Sequence, residues 1–243
     1  MLKLGGLELG PVPRIAVPFT DLEPPEAVSA ALARGADIAE LRVDLFSSTT
    51  QGLYGWDLSR FRDLPTIGTI RAAAEGGGWS GAEATRLELF AALAPRVDAL
   101  DIEFSSEALL GEVIAMAGEH GRLAIVSHHD FEATPELSRL SELCEAACAA
   151  GADLVKIATK VESPADLRSL AGLCFERPET PLIVVGMGRL GPVSRVLLPA
   201  LGSLVTFASL DAESATAPGQ LPLEEARAWL DRLFGAEGSG AGN

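Results

Sequence analysis

The sequence is poor in cysteine, and it has no long uninterrupted apolar run. Its three cysteines, Cys144, Cys148 and Cys174, form no C-x-x-C pair, and their odd number argues against a disulfide framework. The longest uncharged stretch, residues 196–210, is too short to cross a membrane. We therefore predict a protein without structural disulfides and without a membrane span.

The chain is also short of positive charge. It has 34 acidic residues against 19 Lys and Arg residues, so its formal net charge is -15. Such a charge disfavours non-specific binding to nucleic acid or to anionic lipid. The first ten residues lack the continuous apolar core of a signal peptide. We therefore expect a cytoplasmic protein that binds neither nucleic acid nor membrane, although local arginines can still form a site for a small anion.

Short apolar runs alternate with amphipathic segments along the chain. Runs rich in Val, Ile, Leu and Thr are typical of buried parallel strands, and each is followed by a helix candidate. The predicted strands span residues 14–19, 38–45, 65–71, 99–104, 122–128, 154–159, 181–187 and 204–209. Helical patterns include residues 25–34, 82–94, 106–119, 135–150, 164–174 and 223–234. Eight such units in this length indicate an α/β fold, a single (β/α)₈ TIM barrel, rather than an open doubly wound sheet.

The two ends of the chain carry different signals. Residues 2–9 place Gly5-Gly6 between short apolar segments, which predicts an N-terminal β-hairpin covering the bottom of the barrel. Residues 237–243 have the Gly-rich composition of a flexible tail. We therefore assign residues 1–236 to one (β/α)₈ domain.

Ionisable residues interrupt strands whose inward side chains are usually apolar. Glu40, Arg42 and Asp44 alternate along strand two and therefore share one face. These side chains face either the solvent or helix layer outside the barrel, or a pocket inside it. We favour the pocket because strands of this fold are covered on both sides, so a charged stripe must pair or line a pocket. Arg71 ends strand three, and Glu75 precedes three glycines in what is either a mobile loop over a ligand or a plain surface turn.

The next two strands add acids and histidines. Asp101 and Glu103 lie near the end of strand four, where they are either catalytic or balance the neighbouring arginines. Strand five ends in His128-His129, and alternation places His129 on the same face as Ser127 and His128 on the other. Histidine titrates near neutrality, which suits proton transfer, although a purely structural pair is the alternative.

Strand six carries the strongest signal for chemistry. The chain has three lysines, and Lys156 lies within an apolar strand, whereas Lys160 follows at the rim. Burial of an amine disfavours its charged form, lowers its pKa and so supplies a nucleophile for attack on a ketone. The structural alternative is an ion pair, for example with Glu40. The sequence shows no cluster with metal-ligand spacing, so we predict no metal.

A glycine motif points to a different class of enzyme. Residues 186–191 match G-x-G-x-x-G between a strand and a helix, and Asp211 follows about 20 residues later, as in dinucleotide-binding oxidoreductases. That motif normally opens a doubly wound sheet, whereas here only one strand and one helix remain. The helix start with Arg195 is instead a plausible carboxylate site.

Taken together, these residues resemble the type I 3-dehydroquinate dehydratases of the shikimate pathway. The resemblance runs from the first strand to the last helix, and as an ordered series it is specific. Its motifs are Glu40-Leu-Arg42-Val-Asp44, Ile70-Arg71 with Glu75-Gly-Gly, Ser127-His-His129-Asp-Phe131, Val155-Lys156-Ile-Ala158, Met187-Gly-Arg-Leu-Gly191-Pro-Val-Ser194-Arg195 and Thr216-Ala-Pro-Gly-Gln220.

The resemblance implies a lyase that removes water from 3-dehydroquinate without a cofactor. Lys156 would form a Schiff base with the substrate ketone, His129 would be the general base and then the general acid, and Glu75 would orient that histidine. The residues implied to bind substrate are Glu40, Arg42, Arg71, Met187, Arg195, Thr216 and Gln220. The resemblance also implies a homodimer. The alternatives are an aldolase that uses a Schiff base and a barrel retained as a binding protein.

The sequence departs from the family pattern in three places. Thr216 stands where the family usually has serine, and the hydroxyl is kept. The preceding loop, residues 210–215, is longer by about two residues, and Pro18 stands where a polar substrate contact is often found. These differences bear on substrate affinity and lid motion rather than on the family.

Overall fold

The computed structural model describes residues 2–47, 58–212 and 214–235 of the protein. Its strands are β1 (Leu2–Leu4), β2 (Leu7–Leu9), β3 (Arg14–Phe19), β4 (Ile38–Arg42), β5 (Thr66–Thr69), β6 (Ala99–Glu103), β7 (Leu123–Asp130), β8 (Leu154–Lys160), β9 (Leu182–Met187), β10 (Val205–Ser209) and β11 (Leu221–Pro222). The predicted tail, residues 237–243, and the predicted domain end at residue 236 lie outside the described residues.

Parallel pairing carries the sheet around a barrel. Strands β3 to β9 pair in chain order, and β10 pairs with β3. Between β9 and β10 the ring is joined by the Leu204 N–H, which donates to the Leu182 carbonyl at 2.8 Å. The Ser203 hydroxyl accepts the Val184 N–H at the same seam, also at 2.8 Å. The predicted (β/α)₈ barrel is therefore confirmed.

Helices cover the outside of this barrel. They are α1 (Pro25–Ala33), α2 (Glu83–Leu93), α3 (Glu107–Glu119), α4 (Leu137–Ala150), α5 (Pro164–Glu176), α6 (Gly191–Ala200) and α7 (Leu223–Phe234). A capping box between Ser163 and Asp166 starts α5, and Gly151, with φ of 105°, ends α4 in the left-handed conformation that favours glycine. Among the described residues, no helix has the length and apolar character needed to span a membrane.

The end of β4 differs from the prediction. The helix expected after it falls in a segment of which residues 48–57 lie outside the described part of the chain, so this helix stays a prediction; the described residues there form 3₁₀ turns at Val43–Leu45 and Leu58–Phe61. β4 ends at Arg42 instead of residue 45, because Arg42 Nε and Nη2 bind both carboxylate oxygens of Asp44 at 3.0 and 2.7 Å and fold the chain into the turn. Asp44 therefore does not continue an alternating strand stripe. β5 likewise ends at Thr69, two residues before Arg71.

Alternation along each strand fills the barrel in layers. The side chains nearest the N-terminal ends are apolar and form one buried cluster, which includes Ile38, Ile67, Ala99, Ile125, Leu154 and Ile183. Two residues further along, the inward position is polar on five of these six strands, whereas β9 keeps an apolar residue, Val185; the polar residues are Glu40, Thr69, Asp101, Ser127 and Lys156. The barrel therefore has an apolar floor and a charged upper half, as expected when chemistry gathers at the C-terminal ends of the strands.

The N-terminal hairpin seals the floor. β1 and β2 pair antiparallel through a turn in which Gly5 has φ of 57°. Leu4 and Leu9 are buried in the cluster that fills the inside of the barrel, whereas Lys3 and Glu8 are exposed. The predicted hairpin is confirmed.

The buried position of Leu4 yields a stability prediction. We expect Leu4→Ala to lower the free energy of unfolding by about 2–5 kcal/mol, because it leaves a cavity beneath the apolar floor. Lys3→Ala, on the exposed side of the same strand, is the control and should cost less than about 0.5 kcal/mol. Urea unfolding followed by circular dichroism measures both. Equal effects of the two changes would show that the hairpin is not part of the core.

Candidate active site

A cavity opens at the C-terminal ends of the strands. It is lined by Glu40, Arg42, Arg71, Glu75, Gly76, His129, Phe131, Lys156, Ala158, Val185, Met187, Arg195, Phe207, Thr216, Ala217 and Gln220. Every catalytic or substrate-binding residue that the sequence predicts is in this set. The structure thus brings together residues from β4, β7, β8, β9 and β10, from α6 and from three loops.

Lys156 lies in the wall of this cavity with its amine between two carboxylates. Nζ is 2.9 Å from Asp101 Oδ2 and 3.5 Å from Glu40 Oε1. It also lies 4.3 Å from the centre of the Phe207 ring, within cation–π range. The sequence offered Glu40 as an ion-pair partner, but Asp101 is nearer. The amine is therefore buried between two carboxylates that balance its charge.

Asp101 is the hub of the charged layer. Its Oδ1 accepts hydrogen bonds from Arg71 Nη2 and from the Ser127 hydroxyl, both at 2.7 Å. Burial opposes its ionisation, but the charges of Arg71 and Lys156 prevail and hold the pKa of this carboxyl far below its usual range. Of the two roles left open by the sequence, Asp101 therefore has the one of balancing cations.

Glu103, two residues after Asp101 on β6, also balances the charges of cations. It pairs with Arg71 Nη1 at 3.0 Å and with Nη2 of Arg86, a fully buried residue of α2. Burial tends to raise the pKa of Glu103, but the two guanidinium groups lower it overall. Glu103 does not line the cavity. Its effect on the cavity passes through Arg71.

His129 and Glu75 form a second pair on the other side of the cavity. Glu75 Oε2 accepts the backbone N–H of His129 at 2.8 Å and lies 3.0 Å from Nδ1 of its ring. The Ser105 hydroxyl donates to the other oxygen of Glu75. Burial, reinforced by the charges of Arg71 and Lys156, lowers the pKa of His129 well below 6.5. Burial raises the pKa of Glu75. His128 is half-buried and, as alternation predicted, lies outside the cavity lining.

Arg195 closes the opposite end of the cavity, and within the described part of the chain its guanidinium binds backbone carbonyls. Nε donates to the Gly219 carbonyl at 2.9 Å, and Nη1 donates to the Phe207 carbonyl at 2.8 Å. Among the described residues, no carboxylate lies within ion-pair distance of it, and burial lowers its pKa to about 10. A buried guanidinium with no carboxylate partner is a strong site for an anion.

The loop at residues 216–220 lies beside Arg195. Gln220 Oε1 accepts the N–H groups of Thr216 at 2.7 Å and of Ala217 at 3.3 Å, so its amide nitrogen is left for other partners. The Thr216 hydroxyl is 3.4 Å from the same Oε1. In the preceding segment, which the sequence suggests is longer than usual, Glu213 lies outside the described residues.

Glu40 and Arg42 are the residues of β4 that line the cavity. The Thr69 hydroxyl donates to Glu40 at 3.0 Å, which fixes this carboxylate beside Lys156. Arg42 is held by Asp44, whose Oδ2 also accepts the Gly78 N–H at 3.0 Å. The last of the three glycines is thereby tied to the turn after β4. The loop that carries Glu75 is held in place by these bonds.

The glycine motif at residues 186–191 is explained by packing. A Cβ on Gly191 would lie 3.1 Å from the Cα of Gly219, and Gly188 has φ of 77°. The Gly188 N–H donates to the Pro218 carbonyl at 3.2 Å. These glycines therefore let the 216–220 loop approach the start of α6, which removes the reason to associate them with a dinucleotide. Within the described part of the chain, no group of three potential ligands is placed to hold a metal ion.

Several important contacts were not predicted from the sequence. Phe207 and Phe131 lie in the cavity lining, and Ser105 binds Glu75. The inward alternation along β10 could have indicated Phe207, because it lies two residues after Val205 of the apolar floor. Ser105 and Arg86 carry no such signal, since one is in a loop and the other on a helix.

Comparison with known proteins places this site in a family. A model of the family described as type I 3-dehydroquinase matches residues 15–237. The chain is 40% identical over 214 residues to 3-dehydroquinate dehydratase of Aquifex aeolicus, a match that covers 87% of this chain and 94% of that protein. It is 35% identical over 243 residues to 3-dehydroquinate dehydratase of Methanosarcina barkeri, with 96% and 100% covered.

Solved structures agree with the sequence comparison. The crystal structure of the Aquifex aeolicus enzyme matches with a TM-score of 0.82 at 37% identity, covering 91% of this chain and 99% of that one. The type I 3-dehydroquinate dehydratase of Clostridium difficile, solved with covalent modified comenic acid, matches with a TM-score of 0.84 at 27% identity, covering 95% and 96%. From the family model, the relatives and the fold together, the chain belongs to the type I 3-dehydroquinase family.

Proposed function

We propose that this protein removes water from 3-dehydroquinate to give 3-dehydroshikimate, as a hydro-lyase of the shikimate pathway. One observation carries the proposal: a buried lysine amine, a histidine whose pKa is held well below 6.5 and a buried arginine without a carboxylate partner among the described residues share one cavity. A ketone, an acidic C–H bond and a carboxylate are the three features of this substrate that such groups would engage. The curated relatives that carry this name support the assignment.

Lys156 is the residue proposed to bind the substrate covalently. Its neutral amine attacks the ketone carbon, and loss of water gives an imine that withdraws electrons from the adjacent carbon. Phe207 and Met187 cover the imine with apolar surface and limit access of water. The Clostridium difficile relative with covalent modified comenic acid supports covalent chemistry in this fold.

His129 is the proposed base. Because Glu75 faces Nδ1, that nitrogen carries the ring proton, and the lone pair of Nε2 is left for the substrate. Nε2 removes the proton next to the imine carbon and returns it to the departing hydroxyl, which leaves as water. Hydrolysis of the conjugated imine releases the product and restores Lys156. The lowered pKa of His129 keeps it in the base form.

The remaining polar residues are proposed to orient the substrate. Arg195 binds its carboxylate through Nη2, for which no protein partner is present among the described residues, and Gln220 and Thr216 lie at that end. The groups proposed to face the ring hydroxyls are Glu40, Arg42 and Arg71. Arg71 is already held by Asp101, Glu103 and Ser127, so its contribution is a fixed positive charge as much as a hydrogen bond.

The proposal extends to the setting of the enzyme. All three cysteines are unpaired, and Cys148 is exposed as a free thiol, which an oxidising compartment disfavours. This supports a reducing compartment, the cytoplasm.

A homodimer is the proposed assembly. Nine large apolar side chains are exposed among the described residues, and four of them lie along one groove between α6 and α7: Val193, Leu197, Trp229 and Leu233. Apolar surface that clusters in this way is typical of protein interfaces. Glu225 is the acidic residue that lines the groove, so the groove carries little of the net negative charge of the chain. A second copy placed on the same groove would bury these side chains symmetrically.

The Schiff base is tested by trapping. Incubation with 3-dehydroquinate and borohydride should reduce the imine and leave a ligand adduct on Lys156, seen by peptide mass spectrometry. Lys156→Met should abolish both adduct and dehydration, whereas Lys160→Met, at the rim of the same strand, should keep both. An adduct on Lys160 would overturn the site. Dehydration without any adduct would overturn the Schiff base, and an adduct only with phosphorylated sugars would indicate an aldolase.

The base is tested by titration. Because burial and nearby cations lower its pKa, the His129 ring should remain neutral as the pH falls through 6.5, and the acidic fall in kcat/KM should lie below that pH. Lys156→Met removes one of those cations and should raise the pKa of His129. Lys160→Met is the matched control and should leave it unchanged. Two-dimensional NMR of the imidazole nitrogens measures both, and protonation of His129 at or above pH 6.5 would contradict the proposal.

The assembly is tested by mass in solution. Sedimentation equilibrium should give twice the chain mass of 25.3 kDa. Trp229→Glu places a charge in the groove and should shift the protein to monomer, because an unpaired charge is costly in an apolar interface. Phe175→Glu changes another exposed aromatic residue on α5 and should leave the dimer intact. A monomeric wild-type protein would exclude this assembly.

A further inference from the structure

We infer that Arg86 is a positioning residue for the reaction, although it lies behind the barrel wall and does not line the cavity. This inference rests on the proposed function. Arg86 belongs to α2, is fully buried and is the largest such side chain among the described residues. A charged residue is rarely buried this completely unless its partners require it.

Arg86 and Glu103 together clamp the chain on both sides of Arg71. Nε and Nη2 of Arg86 donate to the Ile70 carbonyl at 2.9 and 2.5 Å. Nη2 also donates to Oε2 of Glu103. The other oxygen of Glu103, Oε1, accepts the Ala72 N–H at 2.9 Å and Arg71 Nη1 at 3.0 Å. The peptide groups before and after Arg71 are thus fixed by one buried ion pair.

The same clamp sets the start of the loop that carries Glu75. The Arg71 carbonyl accepts the Trp79 N–H at 3.0 Å, and the Ala73 N–H donates to the Trp79 carbonyl at 2.8 Å. Glu75 therefore lies in a short loop that Trp79 closes by its hydrogen bonds to Arg71 and Ala73. The start of this loop is the segment that the clamp fixes. Displacement of this segment would move Glu75 and, through it, the ring of His129.

Arg71 also connects the clamp to the proposed nucleophile, Lys156. Its Nη2 holds Oδ1 of Asp101, whose Oδ2 in turn holds Lys156 Nζ. The chain from Arg86 through Glu103, Arg71 and Asp101 to Lys156 consists of charged groups that are all buried. In such a buried network water cannot take the place of a displaced partner, so a change at Arg86 shifts the side chains that line the cavity.

The chain provides a matched control for Arg86. Arg227 of α7 also donates from Nε and Nη2 to one carbonyl, that of Gly35, at 3.1 and 2.6 Å. It also donates from Nη2 to a carboxylate, that of Asp37, at 2.6 Å. Asp37 accepts the Ile15 N–H near the start of β3, at the opposite end of the barrel from the cavity. Arg227 thus has the same bonding pattern without the connection to the site.

The test compares lysine substitutions in folded protein. Lysine keeps the charge of Arg86 but cannot hold the Ile70 carbonyl and Glu103 at once, so Arg86→Lys should lower kcat/KM by about 10-fold or more, with a rise in KM because Arg71 is displaced. Arg227→Lys should change kcat/KM by less than about 2-fold. If Arg86→Lys does not fold, Ser106→Ala tests the same clamp more mildly, because the Ser106 hydroxyl bonds to both Arg86 and Glu103. It should lower kcat/KM by about 3-fold.

A double-mutant cycle with Arg71→Lys separates positioning from general destabilisation. In that background Arg86→Lys should lower kcat/KM by a smaller factor than in the wild type, because the Arg71 side chain, one of the two routes by which Arg86 acts, is already altered. The inference is overturned if Arg86→Lys, or Ser106→Ala in its place, lowers only the unfolding midpoint, or if the factor is the same in both backgrounds. Wild-type protein that fails to dehydrate 3-dehydroquinate would contradict the proposed function instead.

Discussion

The active end of the barrel depends on one buried carboxylate, that of Asp101. It accepts hydrogen bonds from Arg71, Ser127 and Lys156, and so it joins three neighbouring strands and the loop after β5. An isolated anion at this depth would cost several kcal/mol, as would either cation alone. Each group is therefore stable only because the others are present. The nucleophile of the proposed reaction is part of this arrangement, and its position follows from it.

The layers of the barrel explain why such an arrangement can fold. The floor is apolar and is covered by the N-terminal hairpin, so the hydrophobic burial that stabilises the chain is separated from the charges. The polar layers above it are filled by pairs that satisfy one another, such as Arg42 with Asp44 and Arg71 with Glu103. The helices outside cover the same wall, and α2 contributes Arg86 to it. The site is held from inside and outside the strands.

Much of this could be predicted from the sequence because the strand period is short and regular. Positions two apart share a face, so Glu40, Lys156 and His129 could be placed inside the barrel without a structure. The end of β4 could not be predicted, because Arg42 folds back on Asp44 and this bond competes with continued strand pairing. Nor could the order of partners around Lys156, since Asp101 and Glu40 both project inward and only the geometry shows that Asp101 is nearer. Contacts made from a helix or a loop, as by Arg86, have no fixed offset in sequence.

The contrast between Lys156 and Arg195 connects the structure to the proposed chemistry. Lys156 meets a neutral ketone, and its charge is already balanced by carboxylates of the protein. Arg195 has no carboxylate partner among the described residues, and burial lowers its pKa, so the free protein bears the cost of an uncompensated cation there. A substrate carboxylate would remove that cost on binding. The same anion at Lys156 would compete with Asp101 and Glu40. The charges of the cavity therefore favour one orientation of a keto acid, with its carboxylate at Arg195 and its ketone at Lys156.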